Sequence, residues 1–228
     1  MSRGASPPLL VAGVTLLRLL LATAFASATP VAGLAPEQLE PVTFANHTGR
    51  QIVHLFASPR GARYWGADTL AGRQALATGA EVDFYLHLQG ASSYDILAVD
   101  HLGDAYLLWN HHIATGTSVR VEIGTAHLES GYDHPPHATV RVVNRSGRDV
   151  WYLFLAARGS SLAGADLLGA DAILEDGETL SIVVPVTGET VGYELIGLDA
   201  AEGRYSLTVE ITPSTRSGTV EIGASAFR

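Results

Sequence analysis

Sliding the chain against itself by 98 residues aligns 42–79 with 140–177, and 14 of those 38 pairs are identical. They include Asn46/Asn144, Gly49/Gly147, Leu55/Leu153, Phe56/Phe154, Gly66/Gly164, Asp68/Asp166, Leu70/Leu168 and Gly79/Gly177. Farther on the offset becomes 99, pairing Tyr94/Tyr193, Asp100/Asp199, Tyr106/Tyr205 and Glu122-Ile123-Gly124/Glu221-Ile222-Gly223. Glycines kept in register across such a span mark an internal duplication, with one residue inserted between the two blocks. Two copies of one fold of under a hundred residues must therefore account for most of the chain.

Each copy reads as six short strands between glycine-rich turns. In the first copy they are Pro41 to Ala45, Ile52 to Ser58, Glu81 to Leu88, Tyr94 to Asp100, Ala105 to Trp109 and Ser118 to Ile123. The second copy gives 139–143, 149–156, 179–184, 192–199, 204–211 and 218–222. Spacing of this kind predicts an all-β chain, two tandem β-sandwich domains related by internal duplication. One helical turn is expected at Gly66 to Ala71, with Gly66 in a conformation that other residues resist. The expected division is a signal peptide over 1–28, a lead-in over 29–40, repeat 1 over 41–125, a Pro/His linker over 126–138, repeat 2 over 139–224 and a tail over 225–228. A transmembrane barrel needs strands of about 9–11 residues, and most of these runs are shorter.

The first 28 residues carry Arg3, an apolar run from Leu9 to Leu17 and the small triplet Ala26-Ser27-Ala28. That pattern predicts an export signal cleaved before Thr29 and a secreted or periplasmic protein with no stable membrane span. Cysteine is absent, so disulfides, thiolate metal sites and cysteine nucleophiles are excluded. Beyond the signal, 12 arginines stand against 23 acidic residues, a net charge of about −11. Nucleic acid and anionic membrane surfaces, which need a basic footprint, are poor partners for such a chain.

The turns Asn46-His47-Thr48-Gly49 and Asn144-Arg145-Ser146-Gly147, together with the loop Trp65-Gly66-Ala67-Asp68-Thr69-Leu70, resemble a small all-β repeat of secreted bacterial proteins without an assigned activity. The resemblance spans Val42 to Gly124 and Val140 to Gly223, and the second copy departs from it with Ala163 where the first has Trp65. It implies the fold and the exported compartment, and brings no catalytic residues.

Three groups of residues are candidate sites. Asp68 and Asp166 lie in the most similar loops of the two copies. Each suits a turn cap or, with Asp95 or Glu194 and Asp100 or Asp199, an oxygen site for calcium. All nine histidines lie between His47 and His137. His127, His134 and His137, near Asp133, have the chemistry for zinc or copper. Tyr64 and Trp65, with Arg60 and Arg63 beside them, suit a loop surface for a protein or glycan partner. Asp100-His101 and Asp133-His134 are carboxylate–histidine neighbours, but no serine stands in a nucleophile elbow, and without lysine there is no phosphate loop. The expectation is a non-catalytic binding or scaffolding protein that needs no cofactor. An extracytoplasmic metal-binding protein, with calcium at Asp68/Asp166 or zinc or copper at the linker histidines, is the alternative.

Overall fold

A computed structural model describes residues 34–70, 75–89, 92–114, 116, 119–201 and 203–226. The expected signal segment, residues 29–33 of the lead-in and the last two residues lie outside them. The described part is all-β. In the first half run β1 (Leu39–His47), β2 (Ile52–Pro59), β3 (Glu81–His87), β4 (Ser92–Asp100), β5 (Ala105–Ile113), β6 (Val119–Gly124) and the two-residue β7 (Leu128–Glu129). The second half has β8 (His137–Arg145), β9 (Val150–Ala157), β10 (Thr179–Pro185), β11 (Val191–Asp199), β12 (Arg204–Ile211) and β13 (Ser217–Gly223).

The expected strands are present with small shifts, the largest being β5, which runs on past Trp109 to Ile113. The helical turn expected at Gly66 to Ala71 is not found: 66–70 is irregular chain ending in a turn. Nor is Gly66 left-handed, whereas Gly164 is, at φ 86°.

Strand orders are β3-β1-β6 and β2-β4-β5-β7 in the first half, then β10-β8-β13 and β12-β11-β9 in the second. Only β1/β6 and β8/β13 are parallel among the paired strands described. Strands β1 to β6 and β8 to β13 thus pair alike, whereas β7 on β5 has no counterpart, and the β10–β11 connection is one residue longer than the β3–β4 connection. Up to that loop the 98 offset holds: the Leu88 N–H donates to the Gln38 carbonyl as the Val186 N–H does to Pro136. From β4 and β11 onward it is 99.

Within the first half, Val42, Phe44, Phe84, Leu86, Val121 and Ile123 of one sheet face Leu55, Ala57, Tyr94, Ile96, Tyr106 and Leu108 of the other. Alternation along each strand puts these residues on the inner faces. The outer face of the β2-β4-β5 sheet is apolar too, with Phe56, Leu97, Val99, Ala105 and Leu107 all buried. A sheet apolar on both faces needs a second cover. Trp65 and Tyr132 supply it. In the second half the matching outer face, Phe154, Ile196 and Leu198, lies under Leu34, Leu39 and Tyr85. Leu34 and Leu39 are the counterparts of Tyr132 and His137 at the 98 offset. Each half is therefore covered by the segment that leads into the first strand of the other.

The Gly-Ala-Asp loops make the same exchange. The Asp68 N–H donates to the Val183 carbonyl at 2.8 Å, and the Asp166 N–H donates to Tyr85 at 2.8 Å. Ala67 is buried in the second half's core and Ala165 in the first half's. These contacts are reciprocal, residue for residue, as in an isologous dimer interface.

His87 sits in this interface with no solvent exposure. Its Nδ1 accepts the Ala163 N–H at 2.9 Å, and its own backbone N–H donates to the Gly164 carbonyl. Burial, aided by the charge of Arg204, lowers its pKa to about 4. Protonation would place a second donor against the Ala163 N–H. The unfolded chain, with histidine near 6.5, binds the proton first. Stability is therefore full above pH 6.5 and falls as pH drops towards 4, by about 3 kcal/mol for this group. Urea unfolding across that range is expected to show the loss, and His87→Asn, which keeps an acceptor but does not titrate, is expected to remove this part of the slope.

Candidate functional site

On the first half, the outer face of the β2-β4-β5 sheet ends in an aromatic surface. Trp65 and Trp109 lie with ring centroids 6.0 Å apart and planes inclined by 33°. Trp109 is 58% exposed, more than any other described tryptophan, tyrosine or phenylalanine. Trp65 is half-buried: it tilts against Phe56 at 6.5 Å, and its indole N–H donates to the Tyr132 hydroxyl at 3.2 Å. One ring is thus anchored while the other stands free beside it.

The backbone beneath Trp109 is irregular for a reason. Between Tyr94 and Ile96 the β4/β5 register shifts, leaving Asp95 opposite an extra residue. Asn110 takes up the bulge at φ 56°, a left-handed conformation that asparagine tolerates better than most residues. The Asn110 N–H donates to Asp95 Oδ1 at 2.7 Å, so a carboxylate at the sheet surface holds the kink. His112, exposed, follows on the same strand. Trp109 is thus an exposed ring followed along its strand by Asn110 and His112, with the Asp95 carboxylate bound to the Asn110 backbone. Exposed indoles stack on apolar ring faces, and such polar neighbours fix hydroxyl-bearing ligands by hydrogen bonds.

The four loop residues singled out in the sequence separate in space. Arg63 and Tyr64 turn towards the second half. The Arg63 guanidinium donates to Glu189 Oε1 at 3.0 Å, and the Tyr64 hydroxyl donates to the same oxygen at 2.8 Å. The Arg63 guanidinium also lies 5.3 Å from the Tyr64 ring centroid. Burial and the bond to Glu189 raise the Tyr64 pKa. Arg63 and Tyr64 line a shallow cleft between the halves, opposite Arg158, Thr190 and Glu210. Arg60 is exposed. Trp65 alone joins the aromatic surface. Trp109 and Tyr132 complete it from β5 and the linker, and nothing in the loop sequence pointed to them. The signal that could have found Trp109 is its place at the end of the apolar run Leu107-Leu108, one step before Asn110.

Asp68 and Asp166 hold their loops alike. Asp68 Oδ1 accepts the Leu55 and Leu70 N–H groups, both at 2.9 Å; Asp166 Oδ1 accepts those of Leu153 at 2.8 Å and Leu168 at 3.2 Å. Asp100 is engaged elsewhere, with the Leu102 and Asp104 N–H groups and the Arg50 guanidinium. Asp95 serves the bulge, and Glu194 accepts the Ser206 hydroxyl. Among the described residues, no three histidine or carboxylate side chains converge on one metal position.

The linker histidines separate into two places. His127 closes the short turn Thr125–His127, its Nδ1 accepting the Gly124 N–H at 3.1 Å. It stands near His111, whose pKa is lowered by burial and by the charges of His127 and His112. His134 and His137 lie apart from these, beside His54 and Asp68. Their rings are stacked, with centroids 5.5 Å apart, and the His137 ring is 4.6 Å from that of His54. His54 Nδ1 is 2.7 Å from Asp68 Oδ2. Burial, then the charges of His54 and His134, lower the His137 pKa to about 4. The Asp68–His54 pair has the form of two-thirds of a catalytic triad, yet the ring beside it belongs to His137. No described serine hydroxyl bonds to His54.

No family model matches the chain, and no curated protein matches it. Among solved structures, a family 26 carbohydrate-binding module from the Amy13K protein of Eubacterium rectale, in complex with maltoheptaose, is 9% identical. The match covers 81% of this chain and 91% of that one, with a TM-score of 0.22. A candidate adhesin from Bacteroides ovatus is 8% identical over 90% of this chain and 96% of its own, with a TM-score of 0.23. Overlaps this loose carry no conclusion about what this chain binds. Among the described residues no helix is long and apolar enough to cross a membrane.

Proposed function

We propose that this chain is an exported, non-catalytic binding protein that takes a glycan on the Trp109 surface. The observation that carries the reading is an indole 58% exposed beside a second, anchored indole, on a strand kinked at Asn110. A soluble protein gains nothing in stability by exposing its largest apolar side chain, and such surfaces are drawn upon in binding. Asp95, Asn110 and His112 supply the polar neighbours. Export rests on the sequence of residues 1–28, and the low positive charge suits a neutral ligand better than a phosphorylated one.

The test is a glycan array probed with the chain from Thr29, followed by calorimetry on the best ligand. Trp109→Ala is expected to weaken binding by up to about tenfold, the order of one lost aromatic stacking contact, while the melting temperature stays nearly unchanged. Trp151→Ala, which removes an indole 46% exposed on the other half, is expected to bind as the parent does. An array on which nothing is retained, or a Trp109→Ala protein with undiminished affinity, would refute the glycan reading.

A further inference from the structure

Two candidates far apart in the sequence, the Asp68 loop and the linker histidines, meet at one place in the fold. From this we infer a second site, separate from the Trp109 surface: a position for an imidazole-seeking divalent transition ion, zinc or copper, held by His54 and His137. Two imidazoles bound side by side to one such ion, with metal–nitrogen bonds of about 2.0–2.1 Å, place their ring centroids roughly 4.5–5.2 Å apart. The His54 and His137 rings are 4.6 Å apart, inclined by 59°.

The tautomers suit the same purpose. Asp68 Oδ2 lies 2.7 Å from His54 Nδ1, so the neutral ring donates from Nδ1 and keeps its lone pair on Nε2. A carboxylate behind a ligating histidine orients the ring and raises its basicity. Asp68 is itself fixed, since its other oxygen accepts two backbone N–H groups. His137 Nε2 is buried and has no hydrogen-bond partner in the protein, and the same is true of His134 Nδ1. Buried polar atoms are nearly always satisfied, and an orphan calls for an ion or a water. The His134 ring, stacked parallel on His137 at 5.5 Å, lies outside the chelating distance and flanks the pair. Water would complete the coordination.

The second half shows what the same framework looks like without the pair. There Asp166 makes the same two backbone contacts, while Tyr152 and Leu39 stand at the counterparts of His54 and His137. Both imidazoles are absent together, and the aspartate's loop-holding role persists. Calcium has no place in this arrangement, because the available donors are nitrogens.

The experiment is titration of the chelator-treated full chain from Thr29 with zinc, copper and calcium, read by calorimetry and by the melting temperature. One equivalent of zinc or copper is expected to bind and to raise the melting temperature, with calcium doing neither. His54→Gln and His137→Gln are each expected to weaken the ion at least tenfold, while His127→Gln leaves it unchanged. Copper in the parent protein is expected to show nitrogen couplings from two imidazoles in its electron paramagnetic resonance spectrum, a readout that does not depend on any variant folding. No stoichiometric binding, binding indifferent to both substitutions, or a copper spectrum without imidazole nitrogen would each overturn the inference.

Discussion

Asp166→Ala is expected to destabilise the protein by about 4 kcal/mol, whereas Asp166→Asn is expected to cost only about 1. The reason is what the side chain holds. Asp166 has no solvent exposure, and its Oδ1 accepts the N–H groups of Leu153 in β9 and Leu168 in the loop. Removing it leaves two buried donors without a partner, each worth about 1–3 kcal/mol. Asparagine keeps an acceptor in the same place. Because the Asp166 N–H also donates to Tyr85 of the other half, the damage reaches across the interface. Urea unfolding at neutral pH measures both variants. A calcium site would give a different pattern: the asparagine variant would lose as much as the alanine one, and the parent would gain stability on adding calcium. The geometry predicts no such gain.

How far the sequence foretold this is clearest at particular residues. The strands were legible because alternation and glycine-rich turns are local: Val82, Phe84 and Leu86 face inward together, as their spacing requires. The Asn46 and Asn144 turns were legible for the same reason. Each side chain donates to two carbonyls, Arg50 and Leu76 or Arg148 and Leu174, and accepts from Thr48 or Ser146. The interface was not legible. Nothing local says that Ala67 belongs to the second half's core, because an alanine in a loop carries no period. A clue was present in the unbroken run Ile96-Leu97-Ala98-Val99, which forbids an outer face open to water. It says that a cover exists, not which segment provides it. The site behaved likewise. Trp65 was visible as a loop aromatic, whereas Trp109, Tyr132 and the meeting of His54 with His137 depend on how linker and sheet come together.

The same interface sets the second expectation. Ala165→Arg, a change in the second half, is expected to cost more than about 4 kcal/mol and to loosen the first half. Ala165 is 6% exposed and packs in the core formed by β1 to β6, bridged to Leu86. An arginine there would put an unpaired charge among Leu55, Ala57 and Leu86, and burying such a charge is among the most costly single changes. If the halves were independent domains on a linker, the variant would melt in two steps, with the first half untouched. Reciprocal packing predicts instead one transition at lower temperature. Hydrogen exchange would show protection lost in β2 to β5 as well as in β9 to β11. Ala67→Arg should act in mirror image, loosening the second half through a change in the first. That symmetry separates a shared fold from local damage: a misfolded loop would weaken only the half that carries it.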